Sequence, residues 1–278
     1  MILTAPWQRQ VEFVVLILSL RTLEHLPDCD VQGSMLYFEL LCGASGDMIL
    51  ASLVDLGVPL SYLRDQFARL EIPGLTLGQS RRNRSGRSCT QLAIAWSEQW
   101  QREVRNLASI LDLLVRGGYA AEVMASCRGI LTRLAEAESR VHGVALQEVH
   151  FHEVGAVDTV VDVLGFALAA DYLKVDRILF STLTVGSGTI ETAHGTLSVP
   201  APATAAMLSG FQVRQLDTGT EILTPTGCAI LTASGTQVAV KPQSRLLGRG
   251  FGCGQKDIRG CSDYLQVLHV ADTPDPHP

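Results

Sequence analysis

The chain has 278 residues, 47% of them hydrophobic and only 18% charged, the balance of a folded protein rather than a disordered one. That length holds one large domain or two small ones and leaves no room for a multi-domain machine. Lys and Arg number 22 against 28 Asp and Glu, a formal net charge of −6 that argues against a nucleic-acid or anionic-membrane partner.

An apolar run, VEFVVLILSL from Val11 to Leu20, opens the sequence between Arg9 and Arg21. It has about half the length a bilayer span needs. Glu12 inside it and the lack of a small-x-small site before Pro27 disfavour a signal peptide. Met35 stands directly before the strand-like LYFELL, so residues 1–34 are expected to be an extension, disordered or read from an upstream start. The fold is expected over 35–270, with 271–278, which holds three prolines, as a flexible tail. Seven cysteines, an odd number with no CxxC pair, argue against a disulfide framework and a thiolate zinc knuckle, and for reduced thiols in a cytoplasm.

Leu36–Leu41 predicts a short strand, followed by Cys42-Gly43-Ala44-Ser45-Gly46-Asp47 and a helical period over Met48–Leu56 that stops at Gly57. Pro59–Leu70 predicts a second helix. Leu75–Leu77 and Gln91–Trp96 predict a strand pair around a solvated loop bearing Arg81, Arg82, Arg84 and Arg87. Helices are predicted over Asn106–Val115 and Ala120–His142, the second closed by Gly143. Val149–Asp158 then leads into an apolar helix reaching Leu173, and Arg177–Val185 is a β-rich run ending in Gly186-Ser187-Gly188. Strand, helix and strand in that order suggest a parallel crossover. Pro200–Thr204 and Thr224-Pro225-Thr226-Gly227 each read as a helix start, and Tyr264–Val270 as a closing strand after the glycine-rich Gly248–Gly254. The fold class is α/β: a mixed sheet with flanking helices, βαβ crossovers and glycine-rich strand-to-helix loops.

His150 and His152 stand at i and i+2, so on an extended segment both imidazoles leave one face and can meet one ion. Asp158 and Asp162, at i and i+4, share a helical face close by. Imidazoles with carboxylates suit a borderline divalent metal such as zinc, nickel or iron, and equally suit hydrogen-bonded structural roles. The loop Gly43–Asp47 between strand and helix is either an anion cradle or a tight turn with Asp47 in its first helical turn. It lacks the Gly-Lys-Ser/Thr ending of a P-loop, and Asp47 offers a hard oxygen donor for magnesium. Gly186 and Gly188 form a similar glycine turn, while Thr224 and Thr226 sit where hydroxyls cap helices. Cys42 and Cys228 adjoin these loops, as buried small hydrophobes or as soft ligands.

Five segments stand in the order that marks the LarC family of nickel insertion proteins: LYFELLCGASGDM, LAEAESRVHG, VHFHEVGAVDTVVD, HGTLSVPAPAT and ILTPTGCAIL. The sequence resembles that family from Met35 to Val270. The resemblance implies nickel insertion into pyridinium-3,5-bisthiocarboxylic acid mononucleotide, a CTP-dependent lyase reaction of the nickel-pincer cofactor pathway that forms carbon–nickel and sulfur–nickel bonds. On that resemblance His150, His152, Glu153, Asp158 and Asp162 are the candidate nickel ligands, and Asp47, Glu153 and Asp158 the candidate catalytic groups. Ser45, Gly46, Gly186, Gly188, His194, Thr224 and Thr226 are the candidates for holding the nucleotide or mononucleotide, with magnesium or manganese as companion ions. Two departures stand out. The stretch Trp96–Leu107 has no histidine where many relatives are histidine-rich, and the chain reads as the N-terminal module, implying a separately encoded C-terminal partner. The alternative is a carrier of nickel or of the mononucleotide without catalysis.

Overall fold

A computed structural model describes residues 33–97, 106–151, 156–192, 195–258 and 260–271, all within one compact unit. The apolar run at 11–20 and most of the histidine-free stretch lie outside them. In chain order the elements are β1 (Ser34–Glu39), α1 (Gly46–Leu56), α2 (Leu60–Ala68), β2 (Thr76–Arg84), β3 (Arg87–Ala95), α3 (Leu107–Gly117), α4 (Ala121–His142), α5 (Ala156–Tyr172), β4 (Arg177–Phe180), β5 (Leu183–Val185), β6 (Thr189–Thr192), β7 (Gly195–Ser198), α6 (Pro202–Met207), β8 (Val213–Gln215), α7 (Pro225–Ser234), β9 (Thr236–Gln237), β10 (Leu246–Gly252) and β11 (Leu265–Ala271).

The main sheet runs β2-β3-β10-β11-β1-β4-β9 and is mixed: β1 is parallel to β4 and antiparallel to β11. Its helix-facing side presents Leu36, Phe38, Leu40, Leu265 and Val267 to a core shared with α1, α4, α5 and α7. Helix α5 is apolar on nearly every side, from Val160, Val161 and Val163 to Phe166 and Ala169, as befits a helix surrounded by others. Phe166 meets Phe38 with ring centroids 6.5 Å apart, joining helix to sheet.

The glycines of β10 have a packing purpose. Gly248, Gly250 and Gly252 share one face of the strand, and α1 lies directly on it. A Cβ on Gly250 would stand 2.6 Å from the Leu56 nitrogen, so the helix backbone occupies the space of the missing side chain.

Three expectations are corrected. The arginines are not in a loop: Arg81, Arg82, Arg84 and Arg87 lie in a long hairpin, β2–β3, whose tip is Ser85-Gly86, although Arg81, Arg82 and Arg87 are solvent-exposed as expected. They are partnered there. Arg81 pairs with Asp55, Arg84 with Asp257 at 3.0 Å, Arg82 donates to Gln91, and Arg87 lies over the Phe251 ring. Second, the parallel crossover joins β1 to β4, because Val149 and Phe151 bury themselves in the core instead of pairing as a strand. The β-rich run after it breaks at Ser181-Thr182, and β5 leaves the main sheet to pair with β8. Third, Cys42 and Cys261 form a disulfide, with Cα atoms 5.8 Å apart across 219 residues of sequence, where only reduced thiols were expected. Cysteine spacing along the chain carries no information about such a distant pair. Among the described residues no helix is long and apolar enough to cross a membrane.

Gly250→Ala is expected to lower stability by about 1–3 kcal/mol, the usual cost of forcing volume into a packed contact. Chemical denaturation measures it, and an unchanged midpoint would contradict the close approach of α1.

Candidate functional site

The loop after β1 is built by close backbone approaches. Gly43 has a φ of +72°, and a Cβ there would sit 2.9 Å from the Ile222 Cβ. The Thr224 N–H donates to the Ala44 carbonyl at 3.1 Å. Gly227 in turn lets the first turn of α7 lie against Ala44, whose carbonyl carbon would be 2.9 Å from an added Cβ. The starts of α1 and α7 are thereby brought side by side, with Thr224 capping α7 by accepting from the Gly227 N–H at 3.2 Å.

Helix α5 meets α1 at the same point. Gly46 is backbone only because Asp162 fills its side-chain space: an added Cβ would fall 2.7 Å from the Asp162 Cβ and Cγ. Asp47 follows immediately, its Oδ1 accepting from the Ser45 hydroxyl and from the Met48 N–H at 2.9 Å. Asp158 stands one turn before Asp162 and opens into the same space. The three carboxylates therefore face a cavity of about 870 Å³.

Another part of the lining is apolar. Leu92, Ile94 and Trp96 project from alternate positions of β3 and its end, and Val141 from α4. Ile190 and Leu197 of the β6–β7 hairpin, Pro202 of α6 and Gln255-Lys256 after β10 complete the lining.

Electrostatically the site is one-sided. Asp47, Glu138, Asp158, Asp162, Glu191 and Glu221 line the cavity, against Lys256 as the only lysine or arginine among its described lining residues. Asp162 is 7% exposed, and its Oδ1 has no hydrogen-bond partner among the described residues. Burial first, then the neighbouring charges of Asp47 and Asp158, hold its carboxyl well above the usual range. Asp158 is pushed up to about 6 by desolvation within the cavity and by Asp47, and burial raises Asp47 against the opposing Ser45 hydrogen bond. The Thr159 hydroxyl, fully buried in the cavity wall, also lacks a partner among the described residues. A buried carboxylate facing two others without compensation costs stability that a bound cation would return.

Of the predicted site residues, Ser45, Gly46, Asp47, Asp158, Asp162, Thr224 and Thr226 converge on this cavity. Gly186 and Gly188 do not line it. They pack against the 218–220 loop, where a Cβ on Gly186 would stand 2.7 Å from the Thr218 hydroxyl, which is a structural reason for glycine. Cys228 is a fully buried thiol pushed up to about 12 by desolvation, the small-hydrophobe reading. His150 is exposed between buried Val149 and Phe151. His152, Glu153 and His194 lie outside the described residues. Among the described residues no three His, Cys, Asp or Glu donors converge closely enough to hold a metal ion by themselves. Glu138 and His142, not among the predicted site residues, line the cavity from α4 with Oε2 and Nε2 3.4 Å apart. Their i,i+4 spacing was the available signal.

The sequence profile of the nickel insertion protein family matches residues 36–277. The chain belongs to this family. Relatives carrying the nickel insertion name include one from Pelobacter propionicus, 44% identical over 84% of this chain and 60% of its own length. Others come from Citrifermentans bemidjiense, 40% identical over 84% and 60%, and Dictyoglomus thermophilum, 36% identical over 80% and 57%. The chain thus spans about 60% of the length of the curated relatives it matches. No solved structure matches it.

Two outcomes test the site. The raised Asp158 carboxyl makes the folded state bind more protons than the unfolded state between its ordinary value of 3.8 and about 6. Stability of the cation-free protein should therefore fall as pH rises through that window, followed by thermal melts at fixed ionic strength. A rise with pH would contradict the charge crowding. Asp162→Asn should stabilise the cation-free protein by about 1–3 kcal/mol, the worth of relieving an unsatisfied desolvated group. A loss of stability would mean that the carboxylate has a partner.

Proposed function

We propose that this family member inserts nickel into pyridinium-3,5-bisthiocarboxylic acid mononucleotide, as a lyase-type cyclometallase of the nickel-pincer cofactor pathway acting in the cytoplasm. The observation that carries the reading is the cluster of Asp47, Asp158 and Asp162 lining an 870 Å³ cavity, with a buried Asp162 oxygen that has no hydrogen-bond partner among the described residues. Such a cluster attracts and desolvates a divalent cation. Nickel is the cargo, held by Asp158 and Asp162 with His152 and Glu153, whereas His150, exposed and outside the cavity lining, is left as a site of first capture. Asp47, Glu153 and Asp158 are the groups that accept the proton released as the ring carbon takes the metal.

The donor set fits a nucleotide phosphate only through a divalent ion. Ser45, Gly46, Thr224 and Thr226 lie at two adjacent helix starts, favourable to an anion, but the carboxylates around them repel a bare phosphate. Magnesium or manganese beside Asp47 would remove that repulsion. CTP, when bound, would supply phosphoryl or nucleotidyl activation of the substrate. The mononucleotide's ring has the apolar wall of Leu92, Ile94 and Trp96 to lie against. On this reading a C-terminal partner module acts together with these residues.

The reaction is tested by incubating the chain with nickel, CTP, magnesium and the bisthiocarboxylated mononucleotide, with and without that partner, and detecting metallated product by mass spectrometry. Product is expected, and Asp158→Asn with Asp162→Asn should lower nickel affinity by about tenfold or more. Nickel binding by calorimetry without product under any condition would instead indicate a carrier.

A further inference from the structure

Besides the carboxylates, the fold brings together soft donors: Cys89 and Cys253 adjoin beside Phe251 inside a small apolar cluster, and Cys42 and Cys261 meet near the cavity. Cys42 lies in the turn that leads to Ser45, Gly46 and Asp47, and is 2% exposed. Cys261 is half-buried in the loop between β10 and β11, which also supplies Gln255 and Lys256 to the cavity. Their Cα atoms are 5.8 Å apart. That separation serves a disulfide and equally lets two thiolates grip one metal ion.

The Cys261 loop does not depend on the covalent bond for its anchorage. Arg84 holds the same loop through Asp257 at 3.0 Å and Asp263 at 3.6 Å, the Ser85 hydroxyl donates to the Cys261 carbonyl at 3.3 Å, and Gln91 donates to the Gly254 carbonyl at 2.7 Å. None of these ties involves a sulfur, so they anchor the Cys261 loop to the β2–β3 hairpin independently of the disulfide. Among the described cysteines Cys261 alone is not buried, so it gives the pair an accessible sulfur that Cys89, Cys127, Cys228 and Cys253 lack.

We propose that Cys42 and Cys261, once reduced, form a two-sulfur site for a borderline or soft divalent metal beside the carboxylate cavity, and that their disulfide is the closed state of that site. Opening consumes two equivalents of a small thiol, which leaves as its own disulfide while both cysteine sulfurs gain a proton. The metal then displaces those two protons to water as two sulfur–metal bonds form. Two sulfurs leave the remaining coordination positions to water or an incoming ligand, which suits a site that hands its ion on. The acidic cavity alongside raises the local cation concentration. The choice of nickel as the natural ion rests on the proposed function; the sulfur pair does not.

The test is a titration of the full chain, reduced with a phosphine, with cobalt(II) and then nickel(II), reading sulfur-to-metal charge-transfer absorption in the near ultraviolet. A band saturating at one metal per chain is expected, lost in Cys261→Ser and absent from the disulfide form. Cys261→Ser is the primary variant because its side chain is half-exposed, and Cys42→Ser serves as a second once its circular dichroism matches the parent. No band in the reduced protein, or an equal band in Cys261→Ser, overturns the sulfur site. If calorimetry still detects nickel at the carboxylates, the proposed function survives that result. If no nickel binds at all, both fail.

Discussion

The contact between Gly46 and Asp162 fixes everything else about the site. A helix start normally welcomes a negative group from outside, and here a carboxylate of α5 is pressed into the space that a side chain on α1 would fill. The result is a buried charge beside Asp47 and Asp158 that the described protein groups leave partly unsatisfied. Stability alone would favour an apolar residue at 162, on a helix otherwise wrapped in valine, leucine and phenylalanine. The carboxylate makes physical sense as half of an interaction whose other half is a cation.

The architecture serves that contact. Glycines of β10 let α1 lie directly on the sheet, and glycines at 43 and 227 dock the start of α7 against the loop that begins α1. Three helix starts are thus gathered at one end of β1, and the end of β3 and helix α4 contribute further lining to the same cavity. The cavity is polar where the helices begin and apolar along β3. A ligand bearing both a flat ring and a charged group has a place for each.

Much of the local structure was legible in the sequence, because it depends on short-range chemistry. Gly57 and Gly143 close α1 and α4, Asn106 opens α3, and Thr224-Pro225 opens α7, all as the residue pattern indicates. The i,i+4 pair Asp158 and Asp162 does share a helical face toward the cavity. What escaped depends on distant contacts. Arginines in β2 and β3 looked like a loop because their partners, Asp55, Asp257 and Asp263, are remote in sequence. The Cys42–Cys261 pair is likewise invisible to spacing. Gly186 and Gly188 resembled a phosphate turn, yet their missing side chains make room for the 218–220 loop. Glu138 and His142 were overlooked because a long charged helix offers many such pairs, and only the cavity singles this one out.

The central claim is that the aspartates at the junction of α1 and α5 exist to receive a metal ion. Diffraction from nickel-soaked crystals, recorded at the nickel absorption edge, examines this most directly. The account requires an anomalous peak within coordinating distance of Asp158 and Asp162, absent from crystals of Asp162→Asn. Nickel scattering confined to surface histidines, with ordered water or a lysine ammonium filling the space beside the Asp162 Oδ1, would contradict it.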